Sequence, residues 1–407
     1  MKSVDEHLSD ILSGLSPLSP LQIQLLDAQG CVLVEDVAAP WPMPSFDNSS
    51  MDGYAVLSSD VAGASATAPV ALKVVADLPA GTDKIVHVRE GTTARIMTGA
   101  PMPSGADAVV PIEWTDEGVA EVAVRQPARP GEYVRRAGSD VEAGTVVAAK
   151  GTRLGATQLA VLAAAGRDRV QVRPRPRVVV IATGSELVPA GVQPGAGQLP
   201  DSNSVMLAAA AKEAGAVVFP VGIVGDDPRE LMDTLEDQLV RADVVVTSGG
   251  VSVGAYDVVK KALQRLGTVT FDKVAMQPGM PQGFGRVGPD STPIFTLPGN
   301  PVSAFVSFEV FVRPALRLLL GVEPLARPQV RAELQAEVTS PAGKRQFLRG
   351  WLDVADGRYV VRAIGGPGSH LLAGLSQANS LIVVPEDTTH VAQGEAVTVM
   401  LLERRTV

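Results

Sequence analysis

The chain has 407 residues, 46% apolar and 19% charged, with a formal net charge of −9. That length suggests roughly two to four domains with ample buried cores, and the composition excludes a disordered chain. The acidic balance without a basic stripe argues against non-specific nucleic-acid binding, every long apolar stretch is broken by charge or glycine and so makes no membrane span, and the lone Cys31 excludes an internal disulfide or a thiolate zinc cluster.

The opening MKSVDEHLSD is polar and acidic, unlike a secretory leader. Residues 1–50 read as one or two helices and then a strand. Ser3 is placed to cap the first helix, and residues 20–30 form a second periodic segment ending at Gly30. Cys31 opens an apolar CVLV run typical of a buried strand. Prolines at 40, 42 and 44 then force an extended path. Residues 45–53 follow as a polar knot, with Asp47, Asn48 and Asp52 crowded around Met51. Such residues make turns, but the frame of Phe46, Met51 and Tyr54 suits a ligand-facing turn equally well.

Residues 54–140 alternate short strands with Gly and Pro turns, which describes a small β-rich domain. Within it, RIMTGAPMPSGAD (residues 95–107) holds Thr98 in a turn. GEYVRRAGSDVEAG then places Arg135 and Arg136 near Asp140. Adjacent arginines suit an anion or simply a solvated surface. From Val141 a strand and a helix over 156–165, stopped by Gly166, return the chain towards its first domain. RPRPR at 173–177 reads as a stiff linker.

Residues 177–321 alternate strand and helix throughout, predicting a doubly wound parallel sheet with right-handed crossovers. RVVVIAT ends in Thr183, Gly184, Ser185 and Glu186. Asp226 and Asp227 follow the next strand, with Asp227 a good N-cap and Pro228 at the first helical position. The VVVTSGGVSVGAYDVVKK stretch (residues 244–261) is the third strand, its turn and its helix. Ser248, Gly249 and Gly250 allow the backbone to turn tightly beside a ligand, and Asp257 lies just beyond. Later loops carry Gln277-Pro278-Gly279 and Pro298-Gly299-Asn300-Pro301, the latter opening a long apolar helix. Open α/β sheets bind ligands at the carboxyl ends of their strands, and there the polar residues converge. Glu186, Asp226 and Asp257 supply oxygen donors suited to Mg²⁺ beside phosphate. Residues 324–407 return to short strands, a small β-domain in which Arg349 and Ser369 are ligand contacts or ordinary loop residues.

Taken together, PSFDNSSMDGYAV, RIMTGAPMPSGADAVV, IATGSELV, DSNS, GDDP, SGGVSVGAYD and LPGNPVSA resemble the molybdopterin molybdenumtransferase family, which comprises bacterial MoeA proteins and the E domain of gephyrin-type proteins. The motifs run in order over nearly the whole chain. The resemblance implies four domains: a linker domain of residues 1–51 and 141–173, a β-rich insert of 52–140, a molybdopterin-binding α/β domain of 174–323 resembling the molybdopterin adenylyltransferases, and a C-terminal β-barrel of 324–407. It further implies a cytoplasmic homodimer with a composite active site, with the adenylyltransferase and recipient molybdoenzymes as partners. The implied reaction is the last step of molybdenum cofactor synthesis, in which adenylylated molybdopterin is hydrolysed with Mg²⁺ and molybdate enters the dithiolene.

By motif position, Asp52, Thr98 and Asp140 resemble family site residues on the insert domain, and Glu186, Asp226 and Asp257 those of the α/β domain. Lys273, Pro298, Pro301, Arg349 and Ser369 match positions lining the cleft. Thr183, Gly184, Ser248, Gly249, Gly250, Gly299 and Asn300 are expected to cradle the pterin phosphate. Two departures stand out: Gln277 and Met280 replace lysines common in the family, and Ser185 replaces the Asp of TGDEL. A neutral amide and a thioether cannot supply a lysine's charge, so an altered paralogue or a scaffold is the alternative reading.

Overall fold

In a computed structural model, which describes residues 1–250, 258–265 and 268–402, the valine-rich runs become the centre of a six-stranded sheet. Its strands are β1 (Arg177–Thr183), β2 (Val217–Val224), β3 (Val244–Ser248), β4 (Val269–Lys273), β5 (Pro281–Val287) and β6 (Thr292–Leu297). Their spatial order is β2-β1-β3-β6-β5-β4. β1, β2, β3 and β6 pair in parallel, and β5 is antiparallel to both β6 and β4. The sheet is therefore parallel except for β5. A short connection from β4 to β5 leaves no room for a helical crossover, so that pair is a hairpin.

Alternate residues of the strands enter two different cores, as a doubly wound sheet requires. Val178, Val180, Val244 and Val246 face α1 (Asn203–Glu213) and the helical run 301–320. Val179, Ile181 and Val245 face α2 (Pro228–Leu239) and α3 (Val258–Arg265). Asp227 caps α2 by accepting from Arg229 N–H at 2.8 Å, with Pro228 behind it. The long apolar helix is present as Pro301–Ser307, a π turn at Phe308–Val312, and Arg313–Leu320.

Two compact bodies emerge: residues 1–22, 30–32 and 171–407, and residues 23–29 and 33–170. In the first, the helix Val4–Ser13 carries the expected Ser3 cap, completed by Glu6 into a capping box. It packs Val4 and Ile11 into the core of the central sheet. Residues 20–30 contain no second helix. Leu21–Gln24 is a strand, matching the two-residue alternation of LQIQ, and Leu26–Ala28 is one 3-10 turn. Nor is the RPRPR stretch a free spacer, since Arg175 donates to the carbonyls of Gly215 and Ala216 at the end of α1.

The same body includes the C-terminal strands β7 (Gln329–Leu334), β8 (Arg345–Ala355), β9 (Arg358–Ala363), β10 (Ser380–Val384) and β11 (Ala396–Leu401). Because β8 pairs with both β9 and β10, the order β8-β9-β7-β11-β10 closes on itself as a small barrel. Leu334, Val361, Ile382 and Val399 fill its interior. The second body is built on a five-stranded sheet ordered Ala108–Pro111, Gly53–Val56, Thr92–Ile96, Val70–Leu78 and Glu121–Val124. Among the described residues, no helix is long and apolar enough to cross a membrane.

Candidate functional site

β1 lies between β2 and β3, so the chain leaves its two faces in opposite directions at the β1/β3 boundary. This is the topological switch point, where the connections part and leave a crevice. Thr183 ends β1 and Ser248 ends β3; the Thr183 hydroxyl donates to the Ser248 carbonyl at 3.2 Å. Gly249 follows with φ +99°, and a Cβ there would stand 2.4 Å from the Thr183 carbonyl oxygen and 2.8 Å from its Oγ1. Only glycine fits. Its N–H, expected to face a ligand, instead donates to Leu297 O at 3.1 Å. Ser-Gly-Gly thus shapes the crevice floor, and Gly250 (φ +68°) carries the turn onward.

Asn203, at the start of α1, ties this turn to the loop after β6. Its Nδ2 donates to Ser248 Oγ and to Gly299 O, each at 2.7 Å. The residue is only 9% exposed, and its Oδ1 is buried without a partner among the described residues. Sequence reasoning missed this residue as a site member; the signal was its place in DSNS.

Beyond Asn203, the 298–301 loop meets the barrel. Pro298 is buried, and Pro301 occupies the first helical position. Asn300 donates to Ser369 Oγ at 3.0 Å, and Val302 N–H to Ser369 O at 3.0 Å. Ser369 sits on a loop held by Arg349, whose Nε donates to Ile364 O at 3.3 Å, Nη1 to Gly368 O at 3.0 Å and Nη2 to Gly366 O. Arg349 is 4% exposed and makes no ion pair among the described residues. Burial pushes its guanidinium pKa down. Its donors shape the loop, and Ser369 presents the result.

The carboxylates divide their work. Asp226 accepts from Ser185 N–H at 3.1 Å while its own N–H donates to Ser185 Oγ at 3.0 Å. Ser185 therefore closes a reciprocal clasp between the β1 and β2 ends. Glu186 is exposed, its carboxylate folded beside Gly184, where a Cβ would come within 2.5 Å of Oε2. Asp257 lies outside the described residues. Among the described residues no three His, Cys, Asp or Glu side chains gather to hold a metal. Glu186 and Asp226 are nonetheless hard oxygen donors at the carboxyl edge of the sheet, a donor chemistry that fits a cation such as Mg²⁺. Lys273 is exposed at the end of β4, on the same edge. Gln277 belongs to the strand Met276–Gln277, paired in parallel with Arg345 and Gln346 of β8.

In the second body, Asp52 Oδ1 accepts from Thr98 N–H at 2.7 Å and Thr98 Oγ1 at 2.9 Å. The Thr98 N–H, then its hydroxyl, hold the carboxyl below its usual range. Asp47 accepts from Ala137 N–H and from Arg136 Nη1, both at 2.7 Å, and its pKa falls for those reasons in that order. Arg136 is thus committed to an ion pair. Between the two carboxylates, Asn48–Ser49 pairs with Val134–Arg135, which fixes the polar knot as a built structure. Asp140 is exposed, with its N–H on Met43 O at 3.0 Å.

Comparison with known proteins meets this architecture region by region. The MoeA N-terminal region (domain I and II) matches residues 2–166, a probable molybdopterin binding domain residues 179–318, and the MoeA C-terminal region (domain IV) residues 331–402. The chain belongs to the molybdopterin molybdenumtransferase (MoeA) family. It is 50% identical over 400 residues to molybdopterin molybdenumtransferase 2 of Mycobacterium tuberculosis, covering 97% of this chain and 98% of that one. Molybdopterin molybdenumtransferase 1 of the same organism is 45% identical over 422 residues, covering 99% of each. The crystal structure of the molybdopterin biosynthesis moea protein from Pyrococcus horikosii superposes with a TM-score of 0.76 at 32% identity, covering 99% of both chains.

Proposed function

We propose that this protein inserts molybdenum from molybdate into adenylylated molybdopterin, with hydrolysis of the phosphoanhydride and release of AMP. The observation that carries the reading is the switch-point crevice. Two loops bridged by Asn203 and the Ser185–Asp226 clasp converge there, in a chain that matches molybdopterin molybdenumtransferases end to end.

Thr183, Gly184, Ser248, Gly249, Gly250, Pro298, Gly299, Asn300 and Pro301 shape the wall that receives the pterin phosphate. Glu186 and Asp226, with Asp257 as the further donor the family motif implies, would hold Mg²⁺, which would supply charge neutralisation at the phosphate. Ser185 keeps Asp226 in place through Oδ2, and among the described residues no hydrogen bond occupies Oδ1. Lys273 supplies a positive charge on the same edge. Arg349 acts through its loop, by aiming Ser369 at Asn300. Asp52, held ionised by Thr98, and Asp140 are the residues of the second body to which the family motifs assign a role. The four-domain division, the cytoplasmic location and the homodimer implied by the family resemblance belong to the same proposal.

The test supplies purified protein with adenylylated molybdopterin, Mg²⁺ and molybdate, and follows AMP release and active cofactor. Molybdate-dependent AMP release that stops on chelation is expected. AMP release that ignores molybdate, or none at all, overturns the reading.

A further inference from the structure

The loop between β4 and β5 borders the carboxyl edge, and its shape is imposed from beneath. Lys273 pairs with Pro281 across its base, and Val274 N–H donates to Met280 O at 2.8 Å. Just before the loop returns to β5, Gly279 adopts φ +98°. Below, on β5, Gln282 is 2% exposed. Its Nε2 donates to Gly279 O and to Ser307 Oγ, both at 2.6 Å. Ser307 is fully buried at the end of Pro301–Ser307, immediately before the π turn. A Cβ on Gly279 would lie 2.8 Å from Ser307 Oγ and 3.4 Å from Gln282 Nε2, so the three residues interlock.

An amide buried at a sheet position is costly unless its hydrogen bonds are made. Here both amide protons are spent on fixing one loop to one helix. That loop carries Gln277 and Met280 beside Lys273, and the helix it is tied to begins at the 298–301 loop of the crevice. One side chain therefore sets the spacing between two walls of the site. We infer that Gln282 is a positioning residue that holds the 274–280 loop in register with the 298–307 helix start, and so sets the affinity for the oxyanion substrate. The inference rests on the function proposed above.

The test uses the full chain with Gln282→Leu, and Gly279→Ala as a second route to the same disturbance should the first fail to fold. Hydrogen exchange at amides 274–281 is measured with and without molybdate, and AMP release is measured against molybdate concentration. In the unaltered protein molybdate is expected to slow exchange in this loop. Each variant is expected to lose that protection and to raise KM for molybdate roughly ten- to a hundredfold, the scale of an ångström's misplacement, with a smaller change in kcat. A variant that melts earlier but keeps both the protection and the KM shows a merely structural amide and overturns the inference. If the unaltered protein shows no AMP release, the proposed function fails, and the exchange measurement alone decides for or against the brace.

Discussion

Gly249→Ala is the sharpest perturbation of the crevice. The added methyl would stand 2.4 Å from the Thr183 carbonyl oxygen and 2.8 Å from Thr183 Oγ1, at a φ of +99°. The backbone strain costs about 1–3 kcal/mol. Neither neighbour is a flexible tip: one is backbone at the end of β1, and the other donates to Ser248 O. Relieving the overlap requires β1 and β3 to part, at a further cost of about 1–3 kcal/mol. The sum, about 2–6 kcal/mol, is a large share of a domain's stability. Gly250→Ala is the control, since φ +68° is the left-handed region and costs about 1–2 kcal/mol for alanine. Urea unfolding of the full chain reads the difference, and AMP release reads the site. A Gly249→Ala protein within about 0.5 kcal/mol of the unaltered one, by the additivity scale of distant sites, would refute the close-approach argument.

Two other expectations concern charge. Burial, then the nearby Lys2 cation, lower the His7 pKa to about 4, against the opposing pull of Asp272 and Asp10. The unfolded chain therefore binds this proton first, between its ordinary value of 6.5 and about 4. The stabilisation is complete above 6.5 and is lost as pH falls towards 4, by about 3 kcal/mol. Unfolding free energy measured at pH 7 and pH 4.5 should show that slope, and His7→Leu should flatten it; an equal slope in both proteins excludes His7 as the source. Asp226→Asn retains an acceptor for Ser185 N–H and removes only charge, so the protein should melt normally while Mg²⁺-dependent AMP release falls on the order of 100-fold or more. Full activity in that variant would remove Asp226 from the metal set.

Much of this protein was legible in its residues alone. Period-two and period-3.6 patterns reported the α/β sheet, because a strand buried on both faces must be apolar throughout, as Val178 to Ile181 are. Caps were equally local: Ser3 with Glu6, and Asp227 with Pro228, are settled within one helical turn. Family motifs singled out Asp52, Thr98 and Asp226 because the short segments that carry them are distinctive, and the structure bonds Asp52 to Thr98 and Asp226 to Ser185.

What the tertiary structure decided are the long-range pairings, which have no local signature. β5 runs against its neighbours because the seven-residue loop 274–280 is too short to carry a helical crossover. Asn203 reaches residues 45 and 96 positions away, and Arg349 spends its guanidinium on carbonyls of a loop it shares no motif with. Gln282 reads as a polar residue in a short strand until Gly279 and Ser307 arrive on either side of it. Residue types state which hydrogen bonds a side chain can make; only the packed fold states which of them are already taken.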